Sequence, residues 1–106
     1  MKFNMKKSFY IVFLLFKIGF SQTSDLLFEK GNELYNKGEF ELAINEYNKI
    51  LENELHSPEL YFNLGNCFYK LNEVAKSNFY FEKALILSPK DQYILKNLSF
   101  AKNMIL

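Results

Sequence analysis

The sequence predicts an all-α chain in which two helix-turn-helix units stack as a solenoid, followed by one further helix and preceded by a targeting segment. Three observations predict it. Shifting the chain by 34 residues aligns Leu26 with Leu60, Phe28 with Phe62, Gly31 with Gly65, Asn32 with Asn66, Tyr35 with Tyr69, Glu39 with Glu73, Lys49 with Lys83 and Leu51 with Leu85. Eight identities in one gapless frame mark a repeat architecture. Within each frame the apolar residues recur at helical spacing. Finally, 106 residues hold only 2 Pro and 4 Gly while 49% are hydrophobic and 18% aromatic, which excludes a disordered or collagen-like chain and favours packed helices with few turns.

Residues 1–21 read as a signal peptide. Lys2, Lys6 and Lys7 form a basic start, Ser8 to Phe20 an apolar stretch of 13 residues, and Gly19-Phe20-Ser21 a small-x-small cleavage pattern. Cleavage is expected after Ser21. The alternative is an uncleaved membrane anchor, which needs about 20 apolar residues and would carry Lys17 at a cost of roughly 2.5–3.5 kcal/mol. No Cys lies near position 20, which argues against a lipoprotein. The full chain holds 13 Lys, no Arg and 12 acids, for a net charge of +1. Removing the leader takes four lysines and no acid, so nine lysines face 12 acids and the remainder is net −3. A nucleic-acid footprint is not expected. Cys67, the single cysteine, cannot form an intramolecular disulfide, so an exported domain would rely on packing alone.

The first unit spans residues 24–57 and the second 58–91. Leu27, Leu34, Phe40, Ile44, Tyr47 and Leu51 mark two helices in the first, broken near Gly38. Tyr61, Leu64, Phe68, Leu71, Val74, Phe81 and Leu85 mark two in the second, with Asn72 at the turn, where a left-handed backbone is tolerated. Ser57-Pro58 reads as an N-cap followed by proline at the first helical position, and Ser88-Pro89 as the end of the fourth helix. The last helix, within 92–106, follows a capping Asp91 and presents Leu95, Leu98, Ala101 and Met104.

A helix pair repeating every 34 residues resembles the tetratricopeptide repeat (TPR). The resemblance rests on Tyr61, Leu64, Gly65, Phe68, Phe81, Ala84 and Pro89 in the second unit and on Gly31, Ala43, Tyr47 and Leu51 in the first. Gly31 and Gly65, opposite Ala43 and Ser77, are expected to let paired backbones approach. Lys30, Leu34, Ile50, Leu55 and Ser77 depart from the family pattern and suggest a looser first unit. Residues 92–106 match the first helix of a third unit or a solvating cap. The run LYFNLGNCFYKLNEVAKSNFYFEKALILSPKD, with an export signal before it and QYILKNLSFAKN after it, is also similar to the repeat region of bacterial aerotolerance (Bat-type) TPR proteins.

The TPR resemblance implies that the first helix of each pair lines a concave side. Phe28, Asn32 and Tyr35 share one helical face, Phe62, Asn66 and Tyr69 repeat it, Asn63 lies beside it, and Tyr93, Lys96 and Asn97 continue it. Amides can donate to and accept from any peptide backbone, and aromatic faces offer stiff contact area. The expected ligand is a peptide or protein segment rather than a small-molecule substrate. The competing reading packs the aromatics between units as core. The carboxylate clamp known in the family fails here: Asn32 and Asn63 match it, but Phe28, Tyr93 and Asn97 stand at its cationic positions, with Lys96 the only cation nearby.

No catalytic site, metal site or cofactor is expected. His56 is the sole histidine and has no second ligand at metal spacing, Cys67 reads as a packed thiol, and GxSxG, GxGxxG and GxxxxGK[ST] are all absent. Glu29, Glu33, Glu39, Glu41 and Glu46 read as solvated faces. Met104-Ile105-Leu106 is apolar where a capping helix should be polar. That end predicts either a fragment of a longer protein or a helix that docks on a partner. The reading is therefore an interaction scaffold, exported to the periplasm or the membrane of a bacterial envelope. The alternative is an assembly element of a membrane-associated Bat-type complex, docking through the last helix.

Overall fold

The computed structural model describes residues 23–104. The signal segment expected over 1–21, together with Ile105 and Leu106, lies outside the described residues. Among the described residues there are five helices and no strand: α1 over 23–36, α2 Phe40–Glu52, α3 Pro58–Lys70, α4 Val74–Leu87 and α5 Gln92–Asn103. They form a helical solenoid of antiparallel pairs, α1 with α2 and α3 with α4, with α5 packed on α4 and α3.

The two inter-helix turns close alike, 34 residues apart. At the first, Gly38 takes a positive φ of 78°, Gly38 N–H donates to the Tyr35 carbonyl and Glu39 N–H reaches back to Leu34, each at 2.9 Å. At the second, Asn72 takes φ 60°, its N–H donates to Tyr69 at 3.1 Å, and Glu73 N–H donates to Phe68 at 2.9 Å. Both close the last helical carbonyls through a left-handed residue. Between the units a third left-handed residue appears, Glu54 at φ 59°, with Glu54 N–H on Leu51 and Leu55 N–H on Ile50. Ser57 then caps α3 by accepting from Leu60 N–H at 3.1 Å, with Pro58 at the first helical position. Asp91 caps α5 by accepting from the N–H groups of Tyr93 and Ile94.

The core has two parts, and α3 belongs to both. Leu60, Leu64, Cys67 and Phe68 meet Ala43, Ile44, Tyr47 and Ile50 of α2. From the other side of α3, Tyr61 joins Phe81 and Ala84 of α4 and Ile94, Leu98 and Ala101 of α5. The small residues do more than let the paired backbones approach. A Cβ on Gly31 would stand 2.4 Å from the Tyr47 ring, and one on Gly65 2.5 Å from the Phe81 ring, so each glycine is a seat for an aromatic side chain of the paired helix. Ser77, where the family pattern has Ala, donates its buried hydroxyl to the Gly65 carbonyl at 2.8 Å.

On α5 the buried face is Ile94, Leu98 and Ala101, with Leu95 and Met104 exposed. This corrects the expected stripe through Leu95 and Met104. The packing positions of α3, namely Leu60, Leu64 and Cys67, shifted by 34, are Ile94, Leu98 and Ala101, so α5 sits on α4 as α3 sits on α2.

Candidate functional site

The first helices of the pairs face a common side, and their amide side chains are bonded to one another across the helix boundaries. Asn63 Nδ2 on α3 donates to Asn32 Oδ1 on α1 at 2.9 Å. One repeat further, Asn97 Nδ2 on α5 donates to Asn66 Oδ1 on α3 at 2.8 Å. The Asn32 oxygen also accepts from the Tyr47 hydroxyl at 2.5 Å. Position 81, the counterpart of Tyr47, is Phe, so Asn66 receives no such bond. Each pair uses one donor and one acceptor. Asn32 and Asn66 keep their Nδ2 groups, and Asn63 and Asn97 their Oδ1 atoms, without a hydrogen bond among the described residues.

Two adjoining hollows follow this line and share Tyr35 and Asn66, so they form one trough. The first, about 290 Å³, is lined by Asn32, Tyr35, Asn36, Tyr47, Asn63 and Asn66. The second, about 230 Å³, lies between Tyr35, Asn66, Tyr69, Phe81, Asn97 and Phe100, with Lys70 at its side. Among the described residues no carboxylate lines either hollow, and Lys70 is the one cation that does. Burial pushes the Tyr35 phenol above its ordinary pKa, and the Tyr47 phenol further, so both stay protonated at neutral pH. The trough is therefore a neutral, hydrogen-bonding floor with aromatic walls and one positive group.

Of the residues singled out from the sequence, Asn32, Tyr35, Asn63, Asn66, Tyr69 and Asn97 come together in the trough. Phe28 and Phe62 line two other hollows and rest on the rings of Tyr47 and Phe81, with centroids 5.8 and 5.9 Å apart. Tyr93 lines the hollow beside Phe62 and is 77% exposed. Lys96, also exposed, places its Nζ 5.9 Å from the centre of the Phe100 ring. Sequence reasoning missed Asn36, Lys70 and Phe100 as lining residues, and read Tyr47 and Phe81, which also line the trough, only as packing positions. A signal existed: Asn36 and Lys70 stand four residues after Asn32 and Asn66, and Phe100 stands 34 after Asn66.

Behind the trough, Cys67 is fully buried and burial pushes its thiol up to about 12, so it is not an available nucleophile at neutral pH. His56 bonds the Tyr61 hydroxyl through Nδ1 at 2.5 Å and stacks on its ring. Among the described residues no group of His, Cys, Asp and Glu could hold a metal ion.

Stacked antiparallel pairs in a 34-residue register, with paired amides along one side, define a helical-repeat protein. A family model described as TPR repeat matches residues 31–72, and one described as Tetratricopeptide repeat matches 58–91, so residues 31–91 are recognised as tetratricopeptide repeats. It is 39% identical over 57 residues to a TPR repeat-containing protein of Methanocaldococcus jannaschii, covering 54% of this chain and 10% of that protein. It is 34% identical over 58 residues to the human tetratricopeptide repeat protein 16, covering 55% of this chain and 7% of that protein. The chain thus spans a tenth or less of the length of these curated relatives. Tetratricopeptide repeats generally mediate binding of protein partners.

Proposed function

We propose that the chain is a non-catalytic interaction module that holds a peptide or protein segment in the trough across α1, α3 and α5. The observation that carries this is the repeated amide pair. Asn32–Asn63 and Asn66–Asn97 fix each other's orientation and leave a donor and an acceptor per repeat turned to a ligand, so little side-chain entropy is lost on binding. A peptide backbone presents the complementary groups whatever its sequence. The basic and apolar leader supports action after export, in a bacterial envelope.

The test is binding of the full chain to an immobilised library of random 12-residue peptides, compared with the Asn32→Ala/Asn66→Ala double variant. Binders that weaken at least tenfold support the trough. Equal binding by the variant, with an unchanged far-ultraviolet spectrum, removes it.

The Bat-type resemblance supports a second reading, assembly into a membrane-associated complex through α5. Its observation is the exposed apolar set Tyr93, Leu95, Phe100 and Met104. Leu98 is buried in the core and belongs to stability, not to such a contact. A folded Leu95→Asp variant that still assembles would exclude this reading.

A further inference from the structure

The two repeats are not equivalent at the floor of the trough. In the first, Asn32 Oδ1 is saturated by two donors, the Tyr47 hydroxyl and Asn63 Nδ2. In the second, Phe81 fills the same seat against its glycine but brings no hydroxyl, so Asn66 Oδ1 accepts from Asn97 alone among the described residues. A carbonyl oxygen accommodates two donors. The hollow of about 230 Å³ opens at this point, touching both Phe81 and Asn66.

Resting on the trough as the binding surface, we propose that this hollow is an anchor subsite for a tyrosine side chain of the bound segment. Sites that enclose a whole small molecule run to roughly 300–1,000 Å³, so a hollow of about 230 Å³ suits one side chain of a longer ligand. Its walls of Tyr35, Tyr69, Phe81 and Phe100 favour a ring. The phenol O–H donates to Asn66 Oδ1, standing in for the hydroxyl that position 81 lacks. Lys70, one helical turn from Asn66 on α3, donates to the phenol oxygen. Three alternatives meet only part of this set. Phenylalanine leaves both polar partners unmatched, a carboxylate cannot donate to Asn66, and the indole N–H of tryptophan offers Lys70 no acceptor.

The experiment uses the peptide library above and a tyrosine-to-phenylalanine exchange in its best binders, with Phe81→Tyr as the deciding variant. That variant copies Tyr47 of the first repeat and supplies the Asn66 oxygen with its second donor from within. Expected are binders enriched in tyrosine, a roughly three- to tenfold loss when that tyrosine becomes phenylalanine, and disappearance of the difference in Phe81→Tyr. Should Phe81→Tyr fail to fold, Asn66→Ala must abolish the same preference. Binders that depend on Asn32 and Asn66 but show no tyrosine preference overturn the subsite and leave the trough standing. Binding that ignores both asparagines, or no binding at all, overturns both.

Discussion

The ring of Phe81 on α4 occupies the space in which any side chain at Gly65 on α3 would stand, 2.5 Å from where its Cβ would be. Gly65→Ala must therefore displace a fully buried ring. We expect a loss of about 1–3 kcal/mol, the usual cost of overpacking, despite the roughly 1 kcal/mol helix preference of alanine. Gly31→Ala should behave the same way against Tyr47. Urea denaturation followed by circular dichroism measures both, and a neutral result would mean that the rings do not hold these seats.

Glu54 is the opposite case, a side chain where glycine would serve better. Its φ of 59° puts a Cβ-bearing residue in the left-handed region, which costs roughly 1–2 kcal/mol. Glu54→Gly should raise stability by up to about 1 kcal/mol, since glycine gives part of that back through its freer unfolded chain. A rise in melting temperature is the readout; a fall would show that the exposed Glu54 side chain contributes something its surroundings do not reveal.

The caps predict a pair of matched losses. Ser57→Ala removes the acceptor for Leu60 N–H, and Asp91→Ala the acceptor for Tyr93 and Ile94. Each should cost about 1 kcal/mol. Because Ser57 precedes the shared helix α3 and Asp91 precedes α5, both should lower the denaturation midpoint, and amide exchange should speed up first in α5 for Asp91→Ala.

Cys67 makes stability fall in alkali. Burial raises its thiol from the ordinary 9.0 to about 12, so the folded chain keeps a proton that the unfolded chain releases. That stability is complete below pH 9 and is lost as pH rises through about 12, at no more than about 1.4 kcal/mol per pH unit. The phenols of the buried Tyr47 and the half-buried Tyr35 and Tyr80 are raised too and act in the same sense. Denaturation curves at pH 8 and 10 should differ, and Cys67→Ala should narrow the gap. A thiol reagent should modify the native chain only as fast as it opens.

The repeat was legible because its constraints are local and recur. Glycine seats, turn residues and caps each need a particular residue type, and the shift by 34 exposed them together. The face of α5 was misread for a physical reason. Ile94 and Leu95 are adjacent and both apolar, so periodicity alone cannot choose between them; the position of α4 chooses Ile94. The register of α3 carried the same answer. In the candidate site the asparagines were visible as a spaced pattern. Their pairing across helices was not, since it depends on how α1, α3 and α5 lie side by side. Glu54 left no sequence signal, because nothing about a glutamate marks a left-handed turn.

Helix α3 lends one side to each half of the core, and this governs how the domain comes apart. Neither half retains its apolar surface if α3 frays, so the two units share one melting event instead of two. The slowest-exchanging amides should lie along the middle of α3, around Leu64, with protection declining toward α1 and α5. Any force or ligand that grips α3 is felt at both ends of the array.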